Sequence, residues 1–300
     1  MSKPNTLSLY SDFVTHDCER VLVTLLRGLG PWKTSVFLVG GLVPRYLVSA
    51  RPPAVPPHAG TGDVDVVVDL AVLVDTKAYE SLEQNLKRMG FERAQNDMGK
   101  TVNWRWRHQT EAGTSIILEF LADDPTWGKR VEELPTKGNV SAVNIPHASL
   151  VFELHTKRDV TAELLGGGGI TTETVAHADL VCFTCLKAFA FDDRNEPKDA
   201  HDLTYCLEYA SGGIDSAVEA FRIALAGKHR QTITAALQIL RKRFCGDEEH
   251  QGHVKDGPVA VARFEVEGDG PDAREARILR QRNASALVQR LLGALEKALK

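Results

Sequence analysis

Short apolar runs bounded by glycine, proline and acidic residues fill the first half of the chain, and longer segments of helical period fill the second. Ser35-Val36-Phe37-Leu38-Val39 and Val66-Val67-Val68 run apolar without alternation, the pattern of strands covered on both faces. Ser115 to Leu121 reads as a further buried strand with a single acid, Glu119, inside it. Trp104-Arg105-Trp106-Arg107 alternates strictly and predicts an amphipathic strand. Arg51 to His58 carries four prolines and is neither helix interior nor central strand, so it predicts a loop. Further on, Asp179 is placed to cap a helix ending near Asp193, and Pro197 suits the first turn of the next. Phe221 to Phe244 reads as a pair of helices. The tail from Ala273 to Lys300 predicts one long helix, with Ile278, Leu279, Leu287, Leu291, Leu292, Leu295 and Leu299 largely on one side. Between these, Gly246 to Pro271 is rich in glycine, acids and histidine and predicts an exposed excursion, with Val259 to Val266 as a short strand or hairpin.

A length of 300 residues with 43% hydrophobic composition can bury one large core or two smaller ones. The change of pattern predicts an α/β domain over 1–165 and a mainly helical domain over 170–300, with the excursion at about 246–271. Gly166 to Gly169 would be the flexible connector, because no strand-Gly-Lys-Ser/Thr pattern follows them to make a phosphate cradle.

Two spaced elements near the start carry candidate chemistry. Gly40-Gly41 follows an apolar strand, which lets the backbone approach a triphosphate closely, and Arg45 lies about one turn farther on. Gly60-Thr61-Gly62-Asp63-Val64-Asp65 then leads into Val66 to Val68. Two carboxylates two positions apart on a strand face the same way, so Asp63 and Asp65 can share divalent cations. Mg²⁺ is commonly held by one or two carboxylates together with phosphate oxygens of a substrate. Thr61 could donate to a phosphate. Glu119, an acid inside a buried strand, needs a partner or a metal, and is a candidate third ligand or base. The proline-rich loop would lie over the mouth of such a site.

Strand, Gly-Gly, helix and then Asp-x-Asp on the next strand resembles the nucleotidyltransferase superfamily of DNA polymerase beta type. A second block, Lys187 to Leu203, fits Lys-x-x-Ala-x-x-x-Arg-x-x-x-Lys-Asp-x-x-Asp-Leu through Lys187, Ala190, Arg194, Lys198, Asp199, Asp202 and Leu203. It resembles the AbiEii/AbiGii-type nucleotidyltransferase toxins, including the MenT-like enzymes. The resemblance implies an α/β (α+β) mixed sheet flanked by helices, with a C-terminal helical domain. It further implies that Asp63 and Asp65 ligate Mg²⁺ or Mn²⁺, that Lys187 contacts nucleotide phosphates, and that Asp202 positions Lys187 or acts in the reaction. Asp199, Arg194, Arg45, Thr61, Gly40 and Gly41 would complete the nucleotide side. The implied reaction moves an NMP from NTP·Mg²⁺ to an acceptor hydroxyl, the 3′ end of tRNA if the toxin likeness holds, and implies a cognate antitoxin. The same groups would serve transfer to a small molecule or a protein, or a nucleotide-binding module without turnover. CCA-adding enzymes share both blocks near the start, but the long proline-rich segment replaces their usual short linker.

Read from the residues alone, the second block is also what an interhelical salt-bridge network looks like: Lys187 and Arg194 share one helix face, Asp199 and Asp202 another. A net charge of −4 argues against a surface that coats nucleic acid generally, although Arg222, Lys228, Arg230, Arg241, Lys242 and Arg243 lie in a stretch without acids. That stretch could form a basic wall for an RNA backbone, with Trp104 and Trp106 as stacking planes, or simply a solvated face. Five cysteines, an odd number, suit a reducing compartment, and Cys182 and Cys185 read as core thiols. No signal peptide or membrane-spanning run is legible, which predicts a cytoplasmic protein with no membrane partner.

Overall fold

The computed structural model describes residues 4–75, 81–96 and 98–299 and divides the chain into two compact units. The first comprises residues 11–43 and 60–179; the second comprises residues 44–59 and 180–300 together with the segment before Ser11. Lys300, the end of the expected tail helix, lies outside the described residues.

Among the described residues the first unit holds nine strands in one mixed sheet: β1 Val36–Val39, β2 Asp63–Val68, β3 Glu92–Gln95, β4 Thr101–Gln109, β5 Ser115–Ala122, β6 Val131–Glu133, β7 Ser141–Asn144, β8 His155–Glu163 and β9 Ile170–Ala178. The main path runs β3-β4-β5-β2-β1-β9-β8, with β7 joined to β5 and β6 to β7. The central strands β1 and β2 hold the apolar runs, and Leu38, Val64, Val66 and Val67 are all buried. On β5 the alternation is visible: Ile116, Leu118, Phe120 and Ala122 are buried on one face, while Ile117, Glu119 and Leu121 stand on a half-open one. The long helix α1, Asp12–Leu29, lays Cys18, Val21, Leu22 and Leu25 against the sheet. Its acid Asp12 and base Arg27 sit at the ends that suit the helix dipole.

Helices of the remaining chain are α2 Pro44–Leu47, α3 Leu70–Asp75, α4 Leu82–Arg88, α5 Leu180–Arg194, α6 Pro197–Tyr209, α7 Gly213–Leu225, α8 Arg230–Phe244, α9 Asp256–Glu265 and α10 Pro271–Leu299. Of these, α3 and α4 belong to the first unit and the rest to the second. The second unit buries Phe183, Phe191, Phe221, Phe244, Phe264, Leu291 and Leu295, and the thiols of Cys182, Cys185 and Cys206 are buried among them.

Several expectations change. The segment Val259 to Val266 is not a strand or hairpin in an exposed excursion: it lies largely in helix α9, where Val261, Ala262 and Phe264 are buried against α6 and α10. Its spacing of Val261, Phe264 and Glu265 is helical, and β-branched valines masked it. Gly166 to Gly169 do not join the two units; they turn the chain between the antiparallel strands β8 and β9, with Gly166, Gly167 and Gly169 at positive φ. Trp106 is fully buried, with its indole N–H donating to the Asn103 carbonyl at 3.1 Å and the Arg93 guanidinium 5.5 Å from its ring. It is core and offers no stacking plane. Trp106→Ala should therefore cost about 3–5 kcal/mol, measured as a drop in unfolding free energy followed by circular dichroism, and a loss below about 1 kcal/mol would contradict this packing role.

Candidate functional site

Sheet register, rather than any loop, collects the acids of the first unit. Val39 of β1 pairs with Asp65 of β2, Asp65 pairs with Glu119 of β5, and Glu119 pairs with Arg105 of β4. Residues opposite one another in a sheet share a face, so Asp65, Glu119 and Arg105 stand in one row, with Asp63 one pleat away on the same face. All of Asp63, Asp65 and Glu119 are half-buried. Arg105 meets Glu119 with Nε 2.9 Å from Oε1. The partner that an acid inside a strand requires is thus a neighbouring-strand arginine. Cross-strand register is not written in a single strand, so this pairing has no signature in the sequence.

Two glycines shape this face. Gly40, at φ 73° directly after β1, leaves no room for a side chain: an ideal Cβ there would lie 2.0 Å from Oδ2 of Asp65. The Asp65 carboxylate therefore rests in a cradle that only glycine provides. Gly60, at φ 76°, is similarly pressed on Thr15 of α1, whose Oγ1 accepts from the Thr61 N–H at 3.0 Å. The Thr61 hydroxyl accepts from the Asp63 N–H at 3.1 Å and donates to the Asp63 carbonyl at 3.3 Å. Thr61 thus fixes the backbone that enters β2. Cys18 donates its thiol to the Thr61 carbonyl at 3.4 Å. Burial raises the Cys18 pKa, and the negative field of Asp63, Asp65 and Asp17 raises it further, so it stays a neutral thiol.

Gly40 and Gly41 open a single 3-10 turn, Gly40–Leu42, and the helix expected after them is only the four residues of α2. Arg45 sits on α2, in the second unit, and its carbonyl accepts from Arg51 Nη2 at 2.9 Å.

In the second unit the Lys187 block folds into a buried ionic network. Lys187 Nζ donates to Asp199 Oδ1 at 2.8 Å and to Asp202 Oδ2 at 2.6 Å. Arg194 holds Asp199 bidentately, Nε to Oδ2 at 2.6 Å and Nη2 to Oδ1 at 2.8 Å. Lys198, one helical turn before Asp202, donates to both of its oxygens at 2.9 and 2.8 Å. Burial alone would lower the Lys187 pKa, but Asp199 and Asp202 raise it well above the ordinary lysine value. Burial would likewise raise Asp199, yet Lys187 and Arg194 bring it down to about 2. Asp202 falls well below the usual range for the same reason, its burial outweighed by Lys187 and Lys198. Removing one member of such a network leaves the others buried and unbalanced.

The proline-rich loop adds His58, whose Nε2 lies 2.9 Å from Asp202 Oδ1, while the Pro56 carbonyl accepts from Tyr205 Oη at 2.9 Å. His58 stacks on His201 at 5.5 Å between centroids, and His201 Nδ1 lies 2.8 Å from Glu265 Oε1. Burial lowers the His58 pKa to about 4, against a smaller rise from Asp202. His58 and Lys198 were not picked out as partners of Asp202, although the four-residue spacing of Lys198 and Asp202 was a readable helical pair.

Two donor sets could be asked to hold a metal. His58, His201 and Asp202 place ligand atoms within 4.8 Å of one another. Both oxygens of Asp202 are already held by Lys187, Lys198 and His58, and a dication there would adjoin two ammonium groups. That set fits poorly. Asp63, Asp65 and Glu119 share one half-open strand face and offer only oxygen, a donor chemistry that suits Mg²⁺ or Mn²⁺; among the described residues the ligand atoms that gather within 4.8 Å are those of the His58 set, not of this face.

Part of the basic stretch meets acids. Lys242 and Arg243 both reach Asp192, at 3.4 and 3.0 Å; Arg243 also pairs with Asp256, and Arg241 lies 3.9 Å from Glu296. Asp192 therefore answers the cations of α8. No helix among the described residues is long and apolar enough to cross a membrane. No family model matches the chain. No curated protein matches it either.

His58 gives a pH signature. A histidine whose folded pKa is depressed contributes stability that is complete above about 6.5, its ordinary value, and lost as pH falls toward about 4. Melting temperature should decline between those values, and His58→Gln should flatten part of that decline; an unchanged profile in the variant would contradict the buried neutral imidazole.

Proposed function

We propose that this chain is a metal-dependent nucleotidyltransferase that moves an NMP from an NTP to an acceptor hydroxyl and releases pyrophosphate. The observation that carries the reading is the row of Asp65 and Glu119 on neighbouring parallel strands, with Asp63 on the same face and Gly40 clearing space at Asp65. A divalent cation bound at that face supplies charge neutralisation at the α-phosphate and the leaving group. Asp63 and Asp65 are its carboxylate donors, held in place by the β2 backbone and by the Thr61 hydroxyl that fixes the entry to it. Glu119 stands ready as a third carboxylate, or to accept the proton of the acceptor hydroxyl.

In the Lys187 block, Asp199 and Asp202 hold Lys187 protonated and in one place, the state in which an ammonium serves a phosphate as a point charge. Asp202 is then a positioning residue for Lys187. The likeness of this block to the AbiEii/AbiGii-type toxins supports the 3′ end of tRNA as acceptor, a toxin role and a cognate antitoxin. One observation favours a second reading, transfer to a small molecule: of the cations expected to form an RNA wall, Arg241, Lys242 and Arg243 are engaged by Asp192, Asp256 and Glu296.

Incubation of the purified protein with total tRNA, Mg²⁺ and each α-labelled NTP tests the proposal. Label should enter the tRNA band with the wild type, and Asp65→Asn should reduce it by about a hundredfold or more without loss of fold by circular dichroism. Label in small molecules alone would select the second reading. Equal labelling by wild type and Asp65→Asn would exclude Asp65 from the reaction.

A further inference from the structure

Arg105 does not appear in any motif, yet it is the one basic member of the acidic row, reached through the β4–β5 register that pairs it with Glu119. Its side chain and that of Glu119 are about equally exposed, 19% and 21%, so the ion pair is partly screened and partly sheltered. Besides the 2.9 Å approach to Glu119, Arg105 Nη1 donates to the Gln95 carbonyl at 3.4 Å, and its guanidinium lies 5.9 Å from the Trp104 ring. An arginine held also by a carbonyl and an aromatic face can give up a carboxylate without losing every partner.

We propose that Arg105 is the counter-ion of Glu119 in the metal-free protein and yields Glu119 when a divalent cation occupies the acidic face. This inference rests on the reading of that face as a metal site. Physically, Asp65 and Glu119 repel across adjacent strands, and a nearby cation relieves that repulsion. The guanidinium does so in the empty site. A dication does so in the loaded one, and it must compete with Arg105 for the Glu119 oxygens. Arg105 is thereby a positioning residue that sets metal affinity, and the competition keeps the site reversible.

Calorimetric titration of Mn²⁺ into the full chain tests this in four proteins: wild type, Arg105→Gln, Glu119→Gln and the double variant. Arg105→Gln should bind Mn²⁺ about three- to tenfold more tightly than wild type, the competitor having been removed. In the Glu119→Gln background, removal of Arg105 should change affinity by less than about twofold. Unchanged or weaker binding by Arg105→Gln overturns the proposal, as does a gain that persists without Glu119, since Arg105 would then act only through its field. Absence of Mn²⁺ binding by the wild type overturns the metal site itself and this inference with it. Binding by the wild type with no effect of Arg105→Gln overturns the inference alone. A second measurement uses the wild type and so needs no fold of the Arg105 variant: Mg²⁺ should alter tryptophan emission as Arg105 moves relative to Trp104, and Trp104→Phe should lose the change. Unaltered emission of a protein that binds Mg²⁺ would also overturn the proposal.

Discussion

Like charges on neighbouring strands constrain the first unit. The β2–β5 register sets Asp65 beside Glu119, with Asp63 one pleat away. Strands lie about 4.8 Å apart, and two carboxylates about 5 Å apart repel by roughly 3 kcal/mol at an effective dielectric constant near 20. A sheet built only for stability would place apolar or opposite charges there. The surrounding features manage this cost: Arg105 answers Glu119, Gly40 gives the Asp65 carboxylate room, and the Thr61 hydroxyl pins the backbone entering β2. The buried side of the same strands, Val64, Val66, Leu118 and Phe120, provides the rigidity against which the acids are held.

The second unit handles buried charge differently. Lys187, Arg194 and Lys198 meet Asp199 and Asp202 between α5 and α6 through direct hydrogen bonds of 2.6 to 2.9 Å. Pairing of this kind offsets desolvation without adding much net stability, and its value is in fixing where each charge sits. The loop carrying His58 closes one side of Asp202, so the proline-rich segment that interrupts the first motif in sequence serves the second motif in space. Read from the residues alone, Lys187 to Leu203 suggested a salt-bridge network, and a salt-bridge network is there.

Much of the architecture was legible because its signals are local. The unbroken runs at Val36 to Val39 and Val66 to Val68 are central strands, the alternation around Trp104 is an edgeward strand, and Asp-x-Asp shares a face because strand period is two. What escaped was non-local or ambiguous. Arg105 found Glu119 through register, His58 found Asp202 across 144 residues, and neither pairing has a signature within one segment. Helix α9 was hidden by its valines, and the glycines at 166 to 169, which composition alone makes a linker, turn a hairpin. For the basic stretch, composition left a basic wall and a solvated face both open, and the acids that meet its α8 cations, Asp192, Asp256 and Glu296, lie on other elements.

The metal-binding face proposed for this chain is the acidic row on β2 and β5. Crystals of the full chain soaked in Mn²⁺ and measured at the manganese absorption edge test it directly. Anomalous density between Asp63 and Asp65 is the expected result. Density beside His58, His201 and Asp202 instead, or none at the acidic row in crystals that take up the ion elsewhere, would contradict it.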